Sequence, residues 1–159
     1  MEQFTYFWRT ESPFSQWHPA VFTLDGQTFT CAEQYMMYAK AMLFGDEAVA
    51  ARILRARSPI EHKKLGRAVS GFRPDVWESR GKAIVYAGNY AKFTQNKHLL
   101  AALLATQGTT LVEASPDDRI WGVGLSEDDP AIRDRRTWRG TNGLGEVLTQ
   151  LREDIIAGR

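Results

Sequence analysis

Glu33 and Lys40 stand seven residues apart in the segment FTCAEQYMMYAKA (29 to 41). Seven residues are two turns of α-helix, so the two side chains share a face, with Cα atoms roughly 10 Å apart. Met36 and Met37 lie between them, which sets a carboxylate and an amine in a Met/Tyr surface. Burial there lowers the pKa of a lysine and raises that of a glutamate, the condition for nucleophilic or general-base chemistry. A plainer reading uses the same residues. Thr30 and Glu33 fit the S/T-x-x-E capping box, and Lys40 could be a solvated or snorkelling lysine.

Three further constellations carry polar groups in apolar or glycine-rich surroundings. Asn89, Lys92 and Asn96 fall at i, i+3 and i+7 and would form one polar helix face, able to meet phosphate or ribose hydroxyls. Their other reading is a helix junction at which Asn96 caps the next helix. The run from Glu113 through Asp118 to Gly124 is a strand-to-turn junction where Trp121 beside Gly122 offers a stacking plane; it also reads as an acidic turn with a core tryptophan. WRGTNGLG (138 to 145) is a Gly-rich loop entering a helix, where backbone N–H groups attract phosphate. It also reads as an Asn-capped helix after a flexible turn. The loop PFSQWHP adds two aromatic rings, Phe14 and Trp17.

Other chemistries find little support. GxSxG, GxxxxGK[ST] and GxGxxG are all absent. Cys31 is the only cysteine, which rules out an intramolecular disulfide and a cysteine-based zinc site. His18, His62 and His98 have no metal-ligand spacing, so neither a metal nor another cofactor is expected. The 20 Lys and Arg nearly balance the 19 Asp and Glu, unlike the basic excess of a dedicated nucleic-acid binder. RDRRTWR (133 to 139) is nevertheless a local basic patch. The segment MEQFTYFWRT lacks the basic and apolar regions of a signal peptide, and no apolar run reaches membrane-span length. A cytoplasmic location is expected.

The elements that must position these residues follow from turn and cap signals. FTYFWR reads as a short strand, and Asp25-Gly26 between AVFTL and QTFT is a hairpin signal. Helices are expected from Thr30 to about Phe44, from Asp46 to near Arg57, and from Ser58-Pro59 to about Val69. A long helix from Pro74 to about Phe93 is weakened by Gly81 and Gly88, and an apolar helix runs from Lys97 to Thr106. TLVEAS reads as a buried strand, SEDDPAIRDRRTW as a surface loop. Asn142 then caps a final amphipathic helix to about Ile156. The fold class is α+β, predominantly α-helical: one compact domain over residues 1–159, with a small antiparallel hairpin and short strands.

Taken in order, PFSQW, DGQTFTCAEQYMMYAKA, KKLGR, NYAKFTQN, LVEASPDDRIWGVG and WRGTNGLGEVL resemble the NADAR (YbiA-like) family from about Tyr6 to Arg152. Gln16 stands where PFSNW is common, a mild departure. The resemblance implies a YbiA-like fold and N-glycosidase activity. It implies as substrate either phosphorylated riboflavin-pathway intermediates, releasing ribose 5-phosphate, or ADP-ribosyl-guanine in DNA, with a DarT-type toxin as functional partner. By the same matching, Lys40 is the active-site lysine, proposed to act through a Schiff base, and Glu33 its proton shuttle, with Asp118 also in the catalytic set. Phe14, Trp17, Lys92, Asn96, Trp121, Gly122, Asn142, Gly143 and Gly145 are the expected substrate contacts. The alternative is a non-catalytic module binding ADP-ribose or a related nucleotide.

Overall fold

Asp25 and Gly26 both take positive φ, 52° and 79°, and close the two-residue hairpin turn expected at that dipeptide. A computed structural model describes all residues, Met1–Arg159. In chain order the strands are β1 (Phe4–Phe7), β2 (Phe22–Leu24), β3 (Gln27–Phe29) and β4 (Thr110–Glu113). The helices are α1 (Ala32–Leu43), α2 (Glu47–Arg55), α3 (Pro59–Arg67), α4 (Pro74–Thr94), α5 (Lys97–Leu104) and α6 (Gly143–Ile156). The α+β, mainly helical class is therefore the observed one.

The chain forms two compact units, one of Met1–Ser15 with His98–Arg159, the other of Gln16–Lys97. In the second unit α1 packs against α2, α3 and α4, and the β2–β3 hairpin lies on α1 and α4. Its core gathers Phe22, Phe29, Tyr35 and Ala91. Asp46 caps α2 by accepting from the Val49 N–H, and Ser58 caps α3 by accepting from the Glu61 N–H. The 21-residue α4 survives Gly88 because that glycine has a packing role: a Cβ there would lie 2.6 Å from Cδ2 of Tyr35.

In the first unit β1 pairs in parallel with β4, Phe4 opposite Thr110 and Phe7 opposite Glu113. Parallel pairing needs a long crossover, and no local signal in the sequence announces it. Helix α6 covers β4. The segment expected as a surface loop contains two 3-10 turns, Pro130–Arg133 and Arg135–Thr137. Asp129 and Asp134 cap them, and fully buried Ile132 anchors the segment to a core with Val112, Ala114, Val123 and Leu125. No helix is long and apolar enough to cross a membrane.

Candidate active site

The first turn of α1 is built differently from the expected capping box. Its N-cap is Cys31, which makes no side-chain cap hydrogen bond. Gln34, not Glu33, reaches back to Thr30: its Oε1 accepts from the Thr30 N–H at 2.8 Å and from the Thr30 hydroxyl at 3.1 Å. The Gln34 amide nitrogen donates to the Ile53 carbonyl at 3.0 Å, tying this turn to the end of α2. The physical reason is position. Once the helix starts at Ala32, the third helical residue is Gln34, and that is the side chain whose length reaches the backbone before the cap. The contact with Thr30 expected of Glu33 is thus made by Gln34. Glu33 is 8% exposed, beside Met36 and Met37 at 6% each.

Lys40 lies in the last turn of α1 and is half-buried. Its Nζ sits 4.7 Å from the ring centre of Phe72 and 5.6 Å from that of Trp77. Burial pushes its pKa below the ordinary lysine value; the Glu33 carboxylate opposes that shift and the Arg67 guanidinium adds to it. The carboxylate and the amine therefore share one field, as their spacing suggested. Residues 72 and 77 were missed in the sequence because aromatic residues in a loop and a helix start carry no periodic signal that points to a distant lysine.

The polar face expected on α4 points inward. Asn89 and Lys92 are both fully buried. The Asn89 amide nitrogen donates to Gln16 Oε1 and to the Val85 carbonyl, each at 2.8 Å, and its Oδ1 is buried without a hydrogen-bond partner. Burial lowers the Lys92 pKa to about 7, with the ring of Phe93 4.8 Å from its Nζ. Asn96 is only partly buried, and its amide donates to the carbonyls of Val21 at 3.0 Å and Lys92 at 2.8 Å. Trp17 lies 5.9 Å from Nζ of Lys63.

Among the first unit's expected site residues, Phe14 is buried and packs edge-on against Phe7, ring centres 5.7 Å apart. Asp118 closes a tight turn, its Oδ1 accepting from the N–H groups of Ile120 at 2.9 Å and Trp121 at 2.8 Å. Gly122 lets the Glu113 carboxylate come close: a Cβ on residue 122 would lie 2.8 Å from Glu113 Oε2. Asn142 does not cap α6 with its side chain. It takes a left-handed φ of 55° and bridges to β4, accepting from the Glu113 N–H and donating to the Leu111 carbonyl. The N–H groups of Asn142, Gly143 and Leu144 donate to the carbonyls of Gly122, Ile120 and Trp121. These donors, expected to meet phosphate, carry protein acceptors. Gly145 lies where a Cβ would fall 2.2 Å from the Leu111 carbonyl oxygen, so α6 rests directly on β4.

Two basic side chains of RDRRTWR are engaged as well. Arg135 pairs with Glu2 and with Glu146, 2.6 Å to the latter, and stacks on Trp138. Arg136 pairs with Asp134 at 2.7 Å.

Comparison with known proteins places the chain. The NADAR domain family model matches residues 6–156. The chain is 46% identical over 129 residues to Protein irg-1 of Caenorhabditis elegans, covering 80% of this chain but 61% of that longer protein. It is 43% identical to N-glycosidase R617 of Acanthamoeba polyphaga mimivirus, over 89% of this chain and 86% of the relative. The NMR structure of the E. coli protein YbiA superposes with a TM-score of 0.80 at 30% identity, covering 99% of this chain and 88% of the other. With the family model spanning nearly its whole length, the chain belongs to the NADAR family.

Proposed function

We propose that the chain is a hydrolase of N-glycosyl bonds, as its relative N-glycosidase R617 is named, acting on a phosphorylated N-ribosyl compound through Lys40 and Glu33. The observation that carries this reading is one helix, α1, holding a desolvated amine and a buried carboxylate in each other's field. A lowered lysine pKa enlarges the neutral fraction that can act as nucleophile.

In the proposed sequence Glu33 supplies a proton to the ribose ring oxygen, and the bond from that oxygen to the anomeric carbon breaks as the glycosidic nitrogen donates its lone pair. The neutral amine of Lys40 adds to the anomeric carbon. The base departs with a proton, leaving a lysine–sugar imine. Water, deprotonated by Glu33, adds to the imine and releases the open-chain sugar and the free amine. Direct attack of water on an oxocarbenium-like sugar uses the same residues, with Lys40 as an electrostatic contact. Borohydride trapping during turnover separates the two: a mass adduct on Lys40 supports the imine, and turnover without an adduct sinks it.

Between substrates, the ion-paired Arg135 and Arg136 favour a small phosphorylated metabolite of the riboflavin-intermediate type over ADP-ribosylated DNA, because DNA affinity rests on several uncompensated cations. Should DNA be the substrate, a DarT-type toxin is the proposed functional partner. Side-by-side assay of both substrates decides the question. Turnover of neither by the wild-type chain, with nucleotide still bound, would instead support the binding module.

A further inference from the structure

Phe72 is 40% exposed although it is a large aromatic residue, and it belongs to neither core cluster. It lies in the turn between α3 and α4, just after Gly71, whose positive φ of 74° sets the turn. Three contacts fix the ring. Phe44, at the end of α1, packs edge-on against it with ring centres 5.3 Å apart. Lys40 Nζ lies 4.7 Å from its centre, and Trp77 flanks the same amine at 5.6 Å.

An amine attacks an anomeric carbon from about 3–3.5 Å. A base joined directly to that carbon then has its ring centre roughly 4–6 Å from the amine, the range at which Phe72 and Trp77 already stand. Aromatic rings associate at centre separations of about 4.5–7 Å. A base held on the Phe72 side of the amine therefore comes within stacking reach of that ring while Lys40 reaches the sugar.

We infer that the exposed surface of Phe72, backed by Phe44 and flanked by Trp77, is the subsite that takes the planar heterocyclic leaving group beside Lys40. This inference rests on the reading of Lys40 as the reacting amine. The occupant is a flat, aromatic base, because an exposed ring in this position gains area and quadrupole complementarity from a π-face and much less from a saturated group. Phe72 is then a specificity residue rather than a source of catalytic power.

The test compares two ribose 5-phosphates, one N-linked to an aromatic aminopyrimidinone and one to a saturated cyclic urea. Phe72→Leu keeps the apolar bulk and removes the π-face. It is expected to lower kcat/KM for the aromatic substrate about tenfold, mainly through KM, and to leave the saturated one within about twofold, tenfold being about 1.4 kcal/mol of stacking. Phe72→Trp is expected to retain wild-type preference. Equal losses on both substrates, or no loss on either, would overturn the subsite while leaving the hydrolase intact. If the wild-type chain cleaves neither compound, the reading of a small ribose 5-phosphate substrate falls. The subsite is then judged by calorimetric binding of the same pair to wild type and Phe72→Leu, where a tenfold change in preference supports it and an unchanged preference overturns it.

Discussion

Lys40 titrates under three influences, and their signs can be tested one at a time. Burial among apolar and aromatic groups lowers its pKa, the negative charge of Glu33 works against that, and the positive charge of Arg67 works with it. Removing the anion with Glu33→Gln leaves the ammonium less favoured, so the Lys40 pKa should fall further. The midpoint of the Lys40 signal in NMR of the 13C-methylated protein is expected below that of free lysine in wild type and lower still in the variant. A midpoint that rises in Glu33→Gln would mean the two groups do not share a field. In turnover, Lys40→Ala is expected to abolish activity while retaining nucleotide binding, which a steady-state assay with parallel calorimetry reads directly. Loss of binding as well would mark Lys40 as a binding contact.

Helix α1 holds this pair in place because of residues that do no chemistry. Gln34 ties the start of α1 to Thr30 on one side and to the Ile53 carbonyl on the other. Gln34→Ala leaves buried backbone groups without partners and should cost about 1–3 kcal/mol, seen as a lower midpoint in urea unfolding. A loss under about half a kcal/mol would show that the cap is dispensable. The close passage of α1 over α4 depends on Gly88. Gly88→Ala drives a methyl into the Tyr35 ring and should cost about 1–3 kcal/mol by overpacking. The smaller ring-free Tyr35→Leu should reduce the penalty of Gly88→Ala in a double-mutant cycle, since the two residues share the contact. Additive effects would place the strain elsewhere. Sequence reading located α1, α4 and the capping signal, yet assigned the cap to Glu33. A one-residue change in where a helix begins decides which side chain reaches back, and pattern alone fixes boundaries only loosely.

Across the whole molecule, Lys92 makes stability depend on pH. Its pKa is about 7 in the folded chain and near the ordinary 10.5 when unfolded, so between these values the unfolded chain binds more protons. Stability contributed by this site therefore rises as pH climbs from about 7 towards 10.5, and is flat below 7, where both states carry the charge. Tyr35 and Cys31, both raised by burial, work in the opposite direction at alkaline pH. Subtracting Lys92→Met from wild type isolates the lysine: the difference in unfolding free energy should narrow as pH rises from 7 to 9, with the Met variant the more stable at pH 7. A difference independent of pH would mean that Lys92 stays charged in the folded chain.

The sequence by itself determined the family, the helical α+β class, the hairpin at Asp25-Gly26 and the placing of Glu33 and Lys40 on one helix. These follow from local rules: turn chemistry at two residues, caps at helix starts, and a fixed rise per residue that puts i and i+7 on one face. Only the tertiary structure decided that β4 pairs with β1 across some hundred residues, that Asn142 serves β4 rather than α6, and that Asn89 and Lys92 face inward. The same holds for the aromatic setting of Lys40, which Phe72 and Trp77 reach from beyond α3. Each of these is a contact between residues far apart in sequence. Such contacts are selected by packing and by the need to pair buried polar groups, and neither leaves a periodic trace along the chain.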